Sequence, residues 1–191
     1  MTGIILVRHA MPEVVPGVLS TMWELGEAAL EDCVLLAHAL PQELAATVFT
    51  SHQPKVKQTA GVLALRRGLE VREDERLREA GQGPGWIDDY RAAAASYLRS
   101  GSVGETADWE PRERVVERFA AGVEAAIAAN SRSAGDVVIV NHGLAMSLWL
   151  ASRAGIDLVP FWQGLTFPDA WRLDLETGAV RHLWMGGRAA E

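Results

Sequence analysis

Residues 4–13 read IILVRHAMPE, and the fold turns on how this stretch is taken. Its first four residues form a short continuous apolar run rich in β-branched side chains, the pattern of a strand buried on both faces. The run ends on Arg8 and His9, and Pro12 then breaks it. A second run of the same kind, DVVIVN at 136–141, delivers His142 and Gly143. A third, ATVFTS at 46–51, leads into His52 and Lys55.

Helical patterns lie between these runs. From Glu24 to Leu40 the spacing predicts a helix burying Leu30, Val34 and Ala37, with Pro41 beyond its end. Pro54 is placed to open another, with Val56, Ala60 and Leu63 inward and Gly68 closing it. EVRED at 70–74 reads as a short strand. Between Gly81 and Glu110 the pattern loosens: a glycine-rich turn, a helix over DDYRAAAASYL, then loop. A long amphipathic helix follows Pro111, carrying Val115, Phe119, Val123 and Ile127. LAMSLWLASRAG at 144–155 reads as a helix capped by Gly155, and AWRLDL–ETG–AVRHLW as a terminal hairpin. Strands alternating with helices predict an α/β fold, a three-layer α/β/α sandwich around a mostly parallel sheet.

The 191 residues fit one ordinary domain, with no internal repeat or linker to mark a second. A formal charge of −7 argues against binding nucleic acid or anionic membrane through a basic surface, though it permits a small cationic pocket. Cys33 is the single cysteine, which excludes an internal disulfide and suits a reducing compartment. The N-terminal apolar run is too short for a signal peptide, and nothing approaches a membrane span, so a cytoplasmic location is expected.

In a sheet of this type ligands collect beyond the carboxyl ends of the strands. Arg8–His9, the TSHQPKVKQTA segment and Asn141–His142–Gly143 all fall there, and Glu79 follows in RLREA. Two imidazoles, nearby cations and one carboxylate suit phosphoryl transfer. A neutral imidazole nitrogen attacks phosphorus, cations offset charge on the oxygens, and a carboxylic acid protonates the leaving group.

LVRHA, TSHQPKVKQTA, RLRE and VVIVNHG stand in the order and rough spacing of the histidine phosphatase superfamily, which includes cofactor-dependent phosphoglycerate mutase. The chain resembles that family from Ile4 to the terminal hairpin. The resemblance implies a single domain over 1–191 with a variable insertion at about 81–110. It also implies that His9 is the nucleophile, that Arg8 and His142 hold the phosphoryl group with His142 protonated, and that Glu79 gives the leaving oxygen its proton. Asp74, Glu75 and Asp88 are the fallback carboxylates. No metal or organic cofactor is implied, and the expected partner is a small phosphate ester. Alternatives are a phosphoglycerate mutase and a non-catalytic phospho-ligand binder. The sequence leaves the oligomeric state open.

Three departures from the family pattern bear on the site. Lys55 stands where the family has arginine, keeping the charge and losing the planar fork. Lys57 cannot replace it, because two residues turn a helix by about 200°. Ala10 replaces a glycine, and the loop MPEVVPG offers no asparagine for phosphate, so Glu13 is expected to face solvent or a cation. His52 beside His9 and His142 invites a zinc reading, which the spacing and the missing cysteines reject. His38 and His182 are expected to be structural or superficial, and Trp86 and Trp109 are candidate substrate contacts.

Overall fold

The computed structural model describes residues 3–82 and 87–189, with no side-chain description at 187–189. β1 (Gly3–Arg8) is buried along its whole length. Its residues alternate between two cores, as the two-residue period of a strand requires. Ile4 and Leu6 pack into one apolar cluster, with Phe49, Val137 and Ile139 from neighbouring strands. Ile5 and Val7 pack into another, with Val48, Val138 and Val140. A strand that reads as unbroken hydrophobic is thus one that feeds both faces of the sheet.

Those two cores define the layers. α1 (Glu27–Ala39) and α2 (Pro54–Arg67) cover one face, through Leu36, Ala37, Val56, Ala60 and Leu63. α3 (Tyr90–Ser100), α4 (Arg112–Ala129), α5 (Gly143–Ala154) and α6 (Leu158–Gly164) lie against the other. The sheet adds β2 (Leu44–Thr50), β3 (Glu70–Glu73), β4 (Asp136–Asn141), β5 (Thr166–Asp174) and β6 (Val180–Ala189). Its order is β3-β2-β4-β1-β5-β6. β3, β2, β4 and β1 are parallel neighbours, while β5 and β6 close the other side as the antiparallel hairpin read from the sequence. The expected α/β sandwich with a mostly parallel sheet is therefore present.

Several local expectations hold for the reasons given. Pro54 opens α2, and Gly68 and Gly155 end their helices in the left-handed conformation, at φ 65° and 67°. Others shift. α1 begins at Glu27 and buries Ala29, Cys33, Leu36 and Ala37, so Leu30 and Val34 lie on the flank of the face assigned to them. In α1 both stripes are apolar, and small Ala and Cys side chains let the helix sit close to its neighbours. α6 carries no clear period and was not anticipated, and β5 begins four residues before AWRLDL. The helix expected over DDYRAAAASYL is present as α3, starting two residues later at Tyr90, and it buries Ala93, Ala94, Ala95, Tyr97 and Leu98 in the larger core. Among the described residues no helix is long and apolar enough to cross a membrane.

Candidate active site

The carboxyl ends of β1, β4 and β2 lie side by side, and each releases a polar residue into one space: His9, His142 and Ser51. Arg8 and Asn141 are register partners, and the His9 N–H donates to the Asn141 carbonyl at 3.0 Å. The parallel ladder therefore continues one residue past β1, tying His9 to the last residue of β4, next to His142. Their ring centroids are 5.4 Å apart, edge to face at 71°. Both are buried, His9 at 6% exposure and His142 at 0%.

His9 Nδ1 lies 2.8 Å from its neighbour's carbonyl, that of Ala10. A carbonyl only accepts, so Nδ1 carries the proton and Nε2 keeps its lone pair. Burial, joined by the positive charges of Lys55 and Arg8, holds this imidazole well below its ordinary 6.5 despite the bond to Ala10. The turn after it is tied to α2: the Ala10 N–H donates to Thr59 Oγ1 at 3.1 Å, and the Thr59 hydroxyl donates to the Lys55 carbonyl at 2.8 Å.

His142 Nε2 is 2.8 Å from Ser51 Oγ, while its Nδ1 is buried with no hydrogen-bond partner. Burial, then the proximity of His9 and Lys55, holds this ring well below its ordinary 6.5. The protonated form that the resemblance implies is disfavoured by these surroundings. Arg8 donates Nη1 to the Leu165 carbonyl at 3.0 Å, and its guanidinium carbon lies 3.4 Å from the centre of the Phe167 ring. Burial lowers its pKa to about 10, partly offset by Tyr90, Glu79 and Asp169, so it stays a cation at neutral pH. Gly143 gives the guanidinium room, since a Cβ on it would stand 3.1 Å from Arg8 Nε and press the side chain aside by a few tenths of an ångström. That Nε is itself buried without a partner. Two orphaned nitrogens in one cationic pocket are groups that an oxyanion would satisfy.

Lys55, in the first turn of α2, is also buried, and its ammonium donates to the Ser20 carbonyl. Burial brings its pKa down to about 8, with Glu79 opposing. Lys57 is half-exposed and pairs with Glu73 at 2.8 Å, on the far side of the helix as the rotation demands. Glu13 is exposed.

Glu79 follows a single 3-10 turn (Glu75–Leu77) and reaches the N-terminus of α5. Its Oε1 accepts from the N–H groups of Ala145 at 2.8 Å and Ala80 at 2.9 Å, and its Oε2 from Leu144 at 3.1 Å. Its own backbone is strapped down by Arg118 of α4, which donates to the carbonyls of Arg76, Arg78 and Glu79 at 2.9, 2.7 and 2.8 Å. Glu110 completes the strap, pairing with Arg118 and Arg78 at 2.8 Å each and accepting the Gly81 N–H at 3.0 Å. Burial pushes the Glu110 carboxyl up, but bonds from Arg118, Gly81 and Arg78 outweigh it and hold the group at about 2. Of the fallback carboxylates, Asp74 caps the 3-10 turn and pairs with Arg76, Glu75 is exposed, and Asp88 sits on the cavity wall.

Arg8, His9, Lys55, Glu79 and His142 all line one open cavity of about 720 Å³. Sequence reasoning had no signal for Phe167, Tyr90, Trp23 or Trp162, which share that wall. Ser51 was within reach, since it stands in the quoted TSHQ segment. Trp109 is not a substrate contact: it is buried against Tyr97, their rings 5.0 Å apart, and is absent from the cavity wall. Trp86 lies outside the described residues. His52 is exposed on the wall, His38 is exposed on α1, and His182 bonds the buried Asp169 at 2.7 Å while stacking on Trp171. Among the described residues no three His, Cys, Asp or Glu side chains gather at metal-binding spacing.

Solved structures with the same fold include one titled mycobacterial hydrolase 1, at 21% identity, with 99% of this chain and 100% of that one covered and a TM-score of 0.75. A mycobacterial glucosyl-3-phosphoglycerate phosphatase in complex with inorganic phosphate matches at 22% identity, 98% of each chain and a TM-score of 0.75. A phosphoglycerate mutase from Bacillus anthracis matches at 18% identity, 94% of this chain and 91% of that one, with a TM-score of 0.69. No curated protein matches the sequence. The family model of the histidine phosphatase superfamily (branch 1) matches residues 4–178, and the chain belongs to that superfamily of phosphatases and mutases, in which a phosphohistidine mechanism is typical.

Proposed function

We propose that the protein is a phosphomonoesterase of the histidine acid phosphatase type, working through a phosphohistidine on His9. The observation that carries this reading is the His9 tautomer: a buried neutral ring whose Nδ1–H is committed to Ala10 and whose Nε2 is left to attack. In the first step Nε2 bonds to phosphorus as the ester P–O bond breaks, and Glu79 gives its proton to the departing alkoxide. Glu79 takes up that proton beforehand, from solvent in the open cavity or from the ester monoanion. In the second step water attacks phosphorus, Glu79 accepts its proton, the P–N bond breaks and phosphate leaves. Arg8, Lys55 and His142 surround the oxygens throughout and offset charge as it develops.

Lysine at 55 gives one point charge where a fork would give two parallel bonds, so the oxygens are held with looser geometry. The test is hydrolysis of 4-nitrophenyl phosphate. His9→Ala should lower kcat by roughly 10⁴-fold or more, and acid quenching of the unaltered protein should trap an acid-labile phosphoenzyme. Undiminished turnover in His9→Ala would refute the assignment. Interconversion of phosphoglycerate isomers without phosphate release would instead mark a mutase.

A further inference from the structure

In the proposed reaction the phosphoryl group needs only the floor of the cavity, at Arg8, His9 and His142, and the rest of the wall differs in chemistry. Val14, Val18, Leu19 and Trp23, all from the turn between β1 and α1, line it together with Tyr90 and Trp162. Val14, Val18 and Leu19 are 49%, 40% and 59% exposed, an arrangement that leaves apolar area in water unless something covers it. They are not on a loose loop. Trp23 Nε1 donates to the Val18 carbonyl at 3.0 Å, Lys55 holds the Ser20 carbonyl, and the Leu25 N–H donates to Gln58 Oε1 at 2.7 Å.

Charge on the described wall beyond Arg8 and Lys55 does not favour a second anion. Arg78 is bound through both Nη atoms to Glu110, and the charge of Arg91 is matched in number by the carboxylate of Asp88 on the same wall. A cavity of this size takes a whole small molecule, and its walls select the part that is not phosphate.

We infer that the preferred substrates are phosphomonoesters of apolar aliphatic or aromatic alcohols, carrying one phosphate and no other anionic group. This rests on the phosphatase reading for turnover but not for binding, and the two are tested apart. Calorimetry with methyl-, butyl- and hexylphosphonate needs no hydrolysis. Each methylene that enters the apolar wall adds up to about fourfold in affinity, so hexylphosphonate should bind roughly twentyfold or more tighter than methylphosphonate. 2,3-Dihydroxypropylphosphonate should gain nothing over methyl. A dihydroxypropyl compound binding as well as hexyl, or a flat alkyl series, would overturn the inference whatever the turnover.

Hydrolysis of hexyl phosphate against glycerol 1-phosphate is measured in parallel. A hexyl preference in binding with no turnover of either ester upholds the inference and sinks the phosphatase reading; turnover of both with no alkyl preference does the reverse. Leu19→Asp, at an exposed position, should cut the hexyl-to-methyl affinity ratio at least several-fold. Val18→Asp is the second variant, and an unchanged ratio in both would overturn the assignment of this wall.

Discussion

The floor of the site and its proton donor are built by opposite means. His9 and His142 are held by main chain: three adjacent parallel strands end together, and one backbone hydrogen bond carries the ladder one residue past β1. Glu79 lies beyond the exposed edge strand β3 and is held by side chains, with Arg118 gripping three consecutive-turn carbonyls and Glu110 gripping both Arg118 and Arg78. Groups placed by a sheet keep their geometry as long as the protein folds. Groups placed by an ion-pair strap depend on a few residues far away in sequence, and those residues can be removed singly.

The largest effect that would sharpen this contrast is expected at Glu110. Its replacement by alanine leaves Arg118 and Arg78 uncompensated in a part-buried setting and frees the Gly81 N–H. Glu110→Ala should lower kcat roughly 10- to 100-fold, with a smaller change in KM and a shifted acid limb of the pH–rate profile, because the proton donor is displaced while the phosphoryl floor is not. Arg118→Met should behave alike. Equal losses in kcat and in phosphate binding would break the distinction, showing that the strap supports the floor too.

A smaller effect lies within the floor itself. Lys55 is held at about 8, so its charge fades as pH rises through that value, and inhibition by inorganic phosphate should weaken by up to about tenfold per pH unit above it. Lys55→Arg should keep its charge and flatten that loss. If the wild-type inhibition constant is flat from about pH 7.5 to 9.5, Lys55 does not contact the anion.

The smallest effect is on stability. His9 and His142 are held neutral below 6.5, so as pH falls through 6.5 the unfolded chain takes up protons that the folded chain refuses. Stability is therefore full above 6.5 and declines as pH drops below it. Glu110 contributes stability that is full above 4.5 and is lost as pH falls towards 2. Thermal melts across this range should show His142→Asn declining less between 6.5 and 4.5 than the unaltered protein; an identical slope would mean that the His142 ring is not held neutral in the folded chain.

The same contrast explains what could be read from the sequence. β1 and β4 announce themselves because burial on both faces forces an unbroken apolar run, and whatever follows such a run stands at the site. So Arg8, His9 and His142 were legible from local pattern, while Glu79 and Lys55 needed the order of several motifs together. The strap was not legible. Arg118 sits on the polar stripe of an ordinary amphipathic helix, and its partners are 8 to 42 residues distant. Val14, Val18 and Leu19 carried no period, and Trp23 and Trp162 were indistinguishable from packing residues until the fold brought them to one wall.

The first two turns of α2 have a consequence for how such a protein can diversify. Lys55, Gln58 and Thr59 reach the Ser20 carbonyl, the Leu25 N–H and the Ala10 N–H, and every one of those attachments is to main chain. Of the wall side chains of that turn, Trp23 takes part in its anchoring, through the Val18 carbonyl, while Val14, Val18 and Leu19 do not. Those three can be exchanged for others without unfastening the segment or disturbing the histidines beneath it, so selectivity for the alcohol is free to drift while the hydrolytic apparatus stays put.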